Sequence, residues 1–275
     1  RKVEVVAVDR YGREYRESLP QFYDVVVIGG GTSGTTAGIK AARLGARTLI
    51  AEEFEWLGGM LTSAGVSAFD GNYKLKGGFW GEFRDSLSSH YGSENALKTG
   101  WVSNILFEPS AGAKILKNIA SREKNLEVKF HTTASNFTRE DGIWKVSLNV
   151  NGKKESVEAR VLIDATELGD VAARLGIGYQ IGMDSRSVTG EDMAQEKEND
   201  IIQDLTYVMI LKEYDRDMTI KQPENYNPSL FYCSTICEKC KNPKEKQRLW
   251  SPEKMITYGK LPNGKYMINW PIEGN

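Results

Sequence analysis

Cysteine and histidine are scarce in this chain. Its 275 residues include three cysteines and two histidines. The cysteines all lie in Cys233-Ser-Thr-Ile-Cys237-Glu-Lys-Cys240, and His90 and His131 are far from them in sequence. A closed zinc or cluster site built on those cysteines therefore lacks a fourth ligand nearby. Charge of one sign is also missing. Lys and Arg number 36 against 37 Asp and Glu, for a net charge of −1. No long basic block is present, which argues against nucleic acid and anionic membranes as partners. No apolar run approaches the ~20 residues of a membrane span. Internal repeats, low-complexity tracts and a signal peptide are absent from the sequence as given. The chain begins at Arg1 without an initiator Met. Removal of an N-terminal segment is the expectation, and the compartment stays open. The length allows one large core or two modest domains.

Glycine, by contrast, is placed with purpose. The stretch DVVVIGGGTSGTTAGIKAARLGARTLIAEE runs from Asp24 to Glu53. Val25 to Ile28 is a β-branched run suited to a strand buried on both faces. Gly29, Gly31 and Gly34 then fit G-x-G-x-x-G. The first glycine permits a tight turn, the second lets the backbone approach a pyrophosphate, and the third lets a helix lie close to the sheet. The helix should run to about Leu44 and stop at Gly45. Its N-terminal N–H groups and dipole favour an anion. Arg47 to Ala51 reads as a second, parallel strand. Glu52 at its end, 18 residues after Gly34, can accept hydrogen bonds from both ribose hydroxyls. Glu53 adds a charge that would repel a 2′-phosphate. The implication is a dinucleotide site without preference for NADP. A doubly wound sheet whose site has decayed is the bland alternative.

Further along, Val3 to Val8 and a polar segment beyond Tyr11-Gly12 suggest a hairpin. Helices are expected at Gly81 to His90 and at Ala111 to Ile119, the latter capped by Ser110. Leu126 to Thr132, Trp144 to Val150 and Ser156 to Ile163 read as strands. The last two flank the hairpin signal Asn151-Gly152, in a loop that Lys153 to Glu155 could widen. A short helix is expected at Val171 to Leu175. Residues 184–200 read as charged loop or helix, and Ile201 to Leu211 as a strand. The expected organisation is an extension at 1–21, a nucleotide domain at 22–183 and a partial, mainly antiparallel substrate region at 184–275. The fold class is α/β, a Rossmann-like domain with a parallel sheet and a β-meander.

Three stretches discriminate between dinucleotides. Leu57-Gly58-Gly59-Met60-Leu61-Thr62 supplies paired glycines just past Glu52, where chain must pass close to an extended FAD. LEVKFHTTA, ending at Ala134, can offer backbone groups to an adenine edge. VLIDATELGD, Val161 to Asp170, is a buried strand that ends in small residues. The order VVVIGGGTSG, AEE, LGGM, DATELGD resembles the FAD-dependent oxidoreductases of the glutathione-reductase structural type. It is closest to a Bacteroidetes subgroup that carries the label xanthan lyase. The closing KLPNGKYMINWPIEGN is similar to that subgroup as well. The resemblance implies FAD as cofactor. It places Gly29, Gly31, Thr32, Ser33 and Gly34 at the pyrophosphate and Glu52, with Glu53 beside it, at the adenosine ribose. Gly58, Gly59, Met60 and Thr62 would lie on the path to the flavin. Ala134 would meet adenine, Ala165 and Thr166 would pass near the cofactor, and Asp170 would cap the turn. Two positions depart from the pattern: Glu53 stands where a basic residue is frequent, and Glu167 where a strand-end glycine is usual. Relatives also continue into a final glycine-rich segment that is not found before Asn275. The expectation is a missing C-terminal half or a homo-oligomer.

The implied reaction is transfer of a hydride from a small organic substrate, a carbohydrate-derived one among the options, to the flavin, with an unknown electron acceptor. An NAD-using dehydrogenase and a non-catalytic fragment of a larger flavoprotein are the alternatives. Residues 54–110 contain no cysteine, which speaks against disulfide-reductase chemistry. Gly176-x-Gly178 follows a helix rather than a strand, so a second dinucleotide site is unsupported. No general base can be named. Ser63, Ser67 and Asp70 are candidates because Thr62 to Gly71 should lie nearest the isoalloxazine. The C-x3-C-x2-C spacing of Cys233, Cys237 and Cys240 matches radical SAM clusters, yet a disulfide or free thiols fit as well. The aromatics Tyr226, Phe231, Tyr232, Trp250, Tyr258, Tyr266 and Trp270 suit either packing or stacking on a sugar ring.

Overall fold

The structure, a computed structural model, describes residues 4–18, 20–203, 205–233, 236–241 and 250–269. They fall into two compact units. One comprises Arg1–Ser67, Lys74–Gly92 and Glu108–Gly176, the other Ala68–Tyr73, Ser93–Phe107 and Ile177–Asn275.

In the first unit, β1 (Glu4–Val8) and β2 (Glu14–Ser18) form an antiparallel hairpin. The Asp9 carboxylate holds its turn by accepting the Tyr11 and Arg13 N–H groups at 2.8 and 3.0 Å. Next comes the βαβ unit of β3 (Gln21–Ile28), α1 (Thr32–Arg43) and β4 (Thr48–Ala51). Helices α2 (Gly78–Tyr91) and α3 (Pro109–Ser121) precede β5 (Leu126–Lys129). A meander of β6 (Thr132–Glu140), β7 (Ile143–Val150) and β8 (Lys153–Asp164) leads to α4 (Asp170–Arg174). The six-stranded sheet has the order β5-β4-β3-β8-β7-β6. Strands β5, β4, β3 and β8 are parallel, and β8, β7 and β6 are antiparallel.

β4 and the second half of β3 are apolar at nearly every position and covered on both faces, whereas β8 is mixed and Val161, expected in a buried strand, is exposed. Val26, Ile28, Leu49 and Ala51 bury with Val146, Leu148, Val157, Ala159 and Val171 in one cluster. α1 packs against β3 and β4, where Gly38 lies over the Ile50 side chain. Tyr23, fully buried, donates its hydroxyl to Glu127 at 2.7 Å. Burial first, then that carboxylate, raise its phenol far above the usual range.

Several boundaries differ from expectation for identifiable reasons. Leu126 to Thr132 is not one strand. His131 takes a left-handed backbone (φ 50°) that ends β5 and starts β6, so His131 sits in a turn. Ser110 does not cap α3. Pro109 opens that helix, and Glu108 stands at the cap position without a side-chain cap bond. Proline needs no N–H acceptor in a first turn. Lys153 to Glu155 do not widen the hairpin loop. Val150 pairs with Lys153, leaving Asn151 (φ 50°) and Gly152 (φ 82°) as a two-residue turn. Both positive angles suit the twist of the flanking strands.

The second unit holds α5 (Arg186–Thr189), β9 (Met209–Lys212), α6 (Pro252–Tyr258), β10 (Lys260–Leu261) and β11 (Lys265–Ile268). Its three strands form an antiparallel sheet, β10-β11-β9. The expected strand Ile201 to Leu211 shrinks to Met209–Lys212. A strand persists only where a partner ladder exists, and β11 offers one opposite those four residues. Leu97, Leu106, Phe107 and Met267 are fully buried in this unit, and Leu261 is nearly so. Among the described residues no helix is long and apolar enough to cross a membrane.

Candidate functional site

The site is built where β3 turns into α1. Gly29 has φ 94°, and a Cβ there would collide with the Ala165 carbonyl and crowd the Thr166 nitrogen. The strand exit is thus pressed against the loop after β8, and Ala165 N–H donates to the Ile28 carbonyl at 2.8 Å. A Cβ on Gly34 would run into the Gly29 carbonyl. Gly31 differs: a Cβ there would meet only the Glu167 carboxylate, at 2.8 Å. α1 has no side-chain cap bond and no acidic residue in its first turn. Thr32 and Ser33 are exposed. Its first turn thus has no side-chain cap, the arrangement that receives an anion.

Gly30, an unspecified position of the motif, is the most heavily engaged residue of the turn. Its N–H donates to Glu52 Oε2 at 2.5 Å. Its carbonyl accepts the Gly58 N–H at 2.8 Å and the Thr35 hydroxyl at 2.7 Å. Thr32 Oγ1 also donates to the Gly58 carbonyl at 3.0 Å. The two glycine motifs that the sequence separates by more than twenty residues are thus bonded side by side. Thr35 was missed at the sequence level, because a threonine inside a helix carries no pattern signal.

Glu52 is 5 % exposed. Its second oxygen accepts the Phe54 N–H at 2.8 Å. Burial raises its carboxyl above the usual range, the two N–H bonds pull it back, and the nearby charges of Glu53 and Glu167 push the same way as burial. Each carboxylate oxygen keeps a lone pair, so the acid retains acceptor capacity for ribose hydroxyls. Glu53 is exposed beside it. The Thr132 N–H donates to the Glu52 carbonyl at 2.8 Å, which sets the start of β6 beside the acid. Ala134, two residues on, offers its carbonyl to Arg174 Nη1 at 2.7 Å.

In the second glycine segment, Thr62 is buried and donates to the Leu57 carbonyl at 2.7 Å. It props the Gly58 turn, where a Cβ would strike Leu116 and Thr62 itself. Met60 is 58 % exposed. A Cβ on Gly59 would lie 2.7 Å from Glu167 Oε1 and 2.9 Å from the Gly31 Cα. Gly31 and Gly59 thus open onto the same space.

The loop after β8 is organised by Asp164 and Thr166. Asp164 accepts the Thr166 N–H (3.0 Å), the Thr166 hydroxyl (2.7 Å) and the Ala172 N–H (2.8 Å). Burial opposes the charge on Asp164, but these donors outweigh it and hold its carboxyl below the usual range. Thr166 Oγ1 in turn accepts the Asp170 N–H at 2.7 Å. The cap expected from Asp170 is therefore supplied by Thr166, and Asp170 is exposed. A short hydroxyl one turn upstream reaches the helix N–H more directly.

The three catalytic candidates sit in different surroundings. Ser63 is exposed, whereas Ser67 is fully buried with no hydrogen-bond partner for its hydroxyl among the described residues. Asp70 belongs to the second unit, where its charge adds to burial in raising the Tyr258 phenol above its usual range. The cysteines divide: Cys233 and Cys240 form a disulfide, and Cys237 is a half-buried free thiol. In that state a three-thiolate ligand set does not exist. The second unit's aromatics form separate groups. Trp101, Trp250 and Tyr258 pack edge-on or tilted, Tyr226 stacks on Phe231, and Tyr266 donates to Glu213. Trp270 lies outside the described residues. An open recess of about 340 Å³ is lined by Trp101, Ser251, Glu253, Lys254 and Thr257.

A parallel sheet, a glycine turn, an uncapped helix N-terminus and a buried acid ending the next strand define a dinucleotide-binding protein. The sequence model of one family, described as FAD dependent oxidoreductase, matches residues 24–275. The chain belongs to that family, and its cofactor is FAD. Among curated proteins it is 26 % identical over 158 residues to the tRNA uridine 5-carboxymethylaminomethyl modification enzyme MnmG of Zymomonas mobilis. That match covers 54 % of this chain and 25 % of that protein. Among solved structures, p-nitrophenol 4-monooxygenase PnpA of Pseudomonas putida DLL-E4 aligns with 60 % of this chain and 46 % of its own, at 13 % identity and TM-score 0.46. A flavoprotein/dehydrogenase from Cytophaga hutchinsonii aligns with 56 % and 41 % respectively, at 19 % identity and TM-score 0.43. The chain spans about a quarter of that curated relative and less than half of either structure.

Proposed function

We propose that the chain is the cofactor-holding part of an FAD-dependent oxidoreductase that takes a hydride from a small organic substrate. One observation carries this reading: Gly31 and Gly59 open onto a common space at the uncapped start of α1, next to the buried acceptor Glu52. These residues fit a pyrophosphate and its ribose. The first-turn N–H groups of α1 and Thr32 and Ser33 would hold the phosphates. Glu52 would hold the ribose, Ala134 would face the adenine, and Met60 would line the path onward. Gly29, Gly34 and Thr62 shape the cradle, with Ala165 and Thr166 forming its wall. FAD, when bound, supplies a two-electron acceptor, and the protein's share is binding, orientation and electrostatic tuning.

The order of the glycine and DATELGD motifs supports placement with the glutathione-reductase structural type and, within it, the subgroup labelled xanthan lyase. β-Elimination, as that label implies, would need a base and an acid beside a sugar carboxylate. Ser63, Ser67 and Asp70 supply no such pair in the described structure.

The test is the visible spectrum of the purified protein, followed by heat release and chromatography. Flavin bands near ~450 nm and released FAD are expected, since the flavin carries that absorption itself. A colourless protein that also refuses added FAD would refute the reading. Release of unsaturated uronic products from xanthan would favour the lyase instead. An Asp70→Ala variant that reduces flavin at the unmodified rate would remove Asp70 from the three candidates for a base.

A further inference from the structure

Glu167 occupies the space that the glycine loop leaves open. A Cβ on Gly31 or Gly59 would fall 2.8 or 2.7 Å from its Oε1. The carboxylate comes from a different segment, the loop between β8 and α4. That loop is fixed on both sides of Glu167. Asp164 and Thr166 clamp each other before it, and the Asp170 and Ala172 N–H groups are tied back after it. Glu167 itself is exposed. Its backbone is anchored while its side chain is open to solvent. The first turn of α1 contributes no acid of its own, so the negative charge at this helix start comes from Glu167 and from Glu52, which already accepts the Gly30 N–H. A helix N-terminus favours such a charge.

We propose that Glu167 is an internal occupant of the anion cradle, displaced when a dinucleotide pyrophosphate enters, and that it thereby sets the affinity of the site. The inference rests on the reading of the glycine loop as an FAD site. Two anionic groups cannot share the space between Gly31 and Gly59, because like charges at contact distance repel even in water. The swap exchanges one carboxylate at the helix start for a pyrophosphate at the same place. Residual repulsion from the displaced carboxylate persists, since its loop is anchored, and salt screens it.

The experiment is titration of flavin-stripped protein with FAD, followed by fluorescence quenching, for the unmodified protein, Glu167→Gln and Glu140→Gln. Glu167→Gln keeps the side-chain length and removes the charge. It is expected to tighten FAD roughly three- to tenfold at low salt. That advantage should shrink toward unity at about 0.5 M salt, where the Debye length is only a few ångströms. Glu140→Gln removes an equal charge at the far end of β6, where Glu140 is exposed and pairs with Lys145, and should shift affinity far less. Equal or weaker FAD binding by Glu167→Gln, or an equal gain in both variants, would overturn the inference while leaving the FAD site intact. FAD binding by none of the three proteins would sink the site and the inference together.

Discussion

The two units contain similar residues and use them differently. In the first, the apolar strands are consumed by the sheet: Leu49, Val26 and Ala159 are fully buried. In the second, Met193 is 95 % exposed, Leu205 95 % and Tyr207 96 %. The first unit closes its core with contiguous βαβ and meander elements, each bringing its neighbour's hydrogen-bond partner. The second draws one small sheet from segments far apart, β9 at 209–212 and β11 at 265–268. Apolar content alone does not make a core. A partner element must arrive to cover it.

The contrast can be broken or sharpened by substitution. Leu49→Ala should cost about 2–5 kcal/mol of stability in urea unfolding, by lost burial and an unfilled cavity. Leu205→Ala should stay within about 0.5 kcal/mol, as expected for an exposed position. Equal losses at both sites would refute the contrast. Gly29→Ala should follow, at about 2 kcal/mol, because it combines a left-handed backbone with a collision at Ala165. Gly190→Ala, also left-handed (φ 71°) but with nothing near its Cβ, should cost only about 1 kcal/mol.

Glu52 gives a smaller and pH-dependent effect. Its carboxyl is raised in the folded chain, so the folded state binds its proton more tightly than the unfolded state does. The stability this group contributes is full below the unfolded value and lost as pH rises through the folded one. Melting temperatures of the unmodified protein should therefore fall relative to Glu52→Gln as pH climbs from the carboxylate range toward neutrality. A parallel pair of pH profiles would show that the two N–H bonds fully offset burial. The last prediction touches no stability at all. Alkylation without reductant should label Cys237 alone, and all three cysteines after reduction. Labelling of three without reductant would remove the disulfide.

The sequence made the first unit legible to within a residue or two at α1, β4 and the end of β3, although β3 starts at Gln21, four residues before the expected Val25. There periodicity, a helix stop and glycine spacing all agree. It was less informative wherever a tertiary partner decides. The His131 reversal, the shortening of Ile201 to Leu211 and the Pro109 helix start each depend on what lies opposite or on one backbone angle. Within the site, the motif positions Gly29, Gly31 and Gly34 were readable because each meets a local steric demand. Asp164, Thr35 and Glu167 were not. Their roles come from loops folded together from distant segments, and no local spacing encodes that.

Gly30 offers a different lesson, about tolerance. Pattern notation leaves this position unspecified. Yet its N–H and carbonyl bind three separate segments, and a side chain there would press on Glu52 and Leu57. In a library randomised across the turn and selected for folded protein, position 30 should retain glycine as stubbornly as positions 29 and 34. The open face of Gly31 should admit other residues until selection also demands the cofactor.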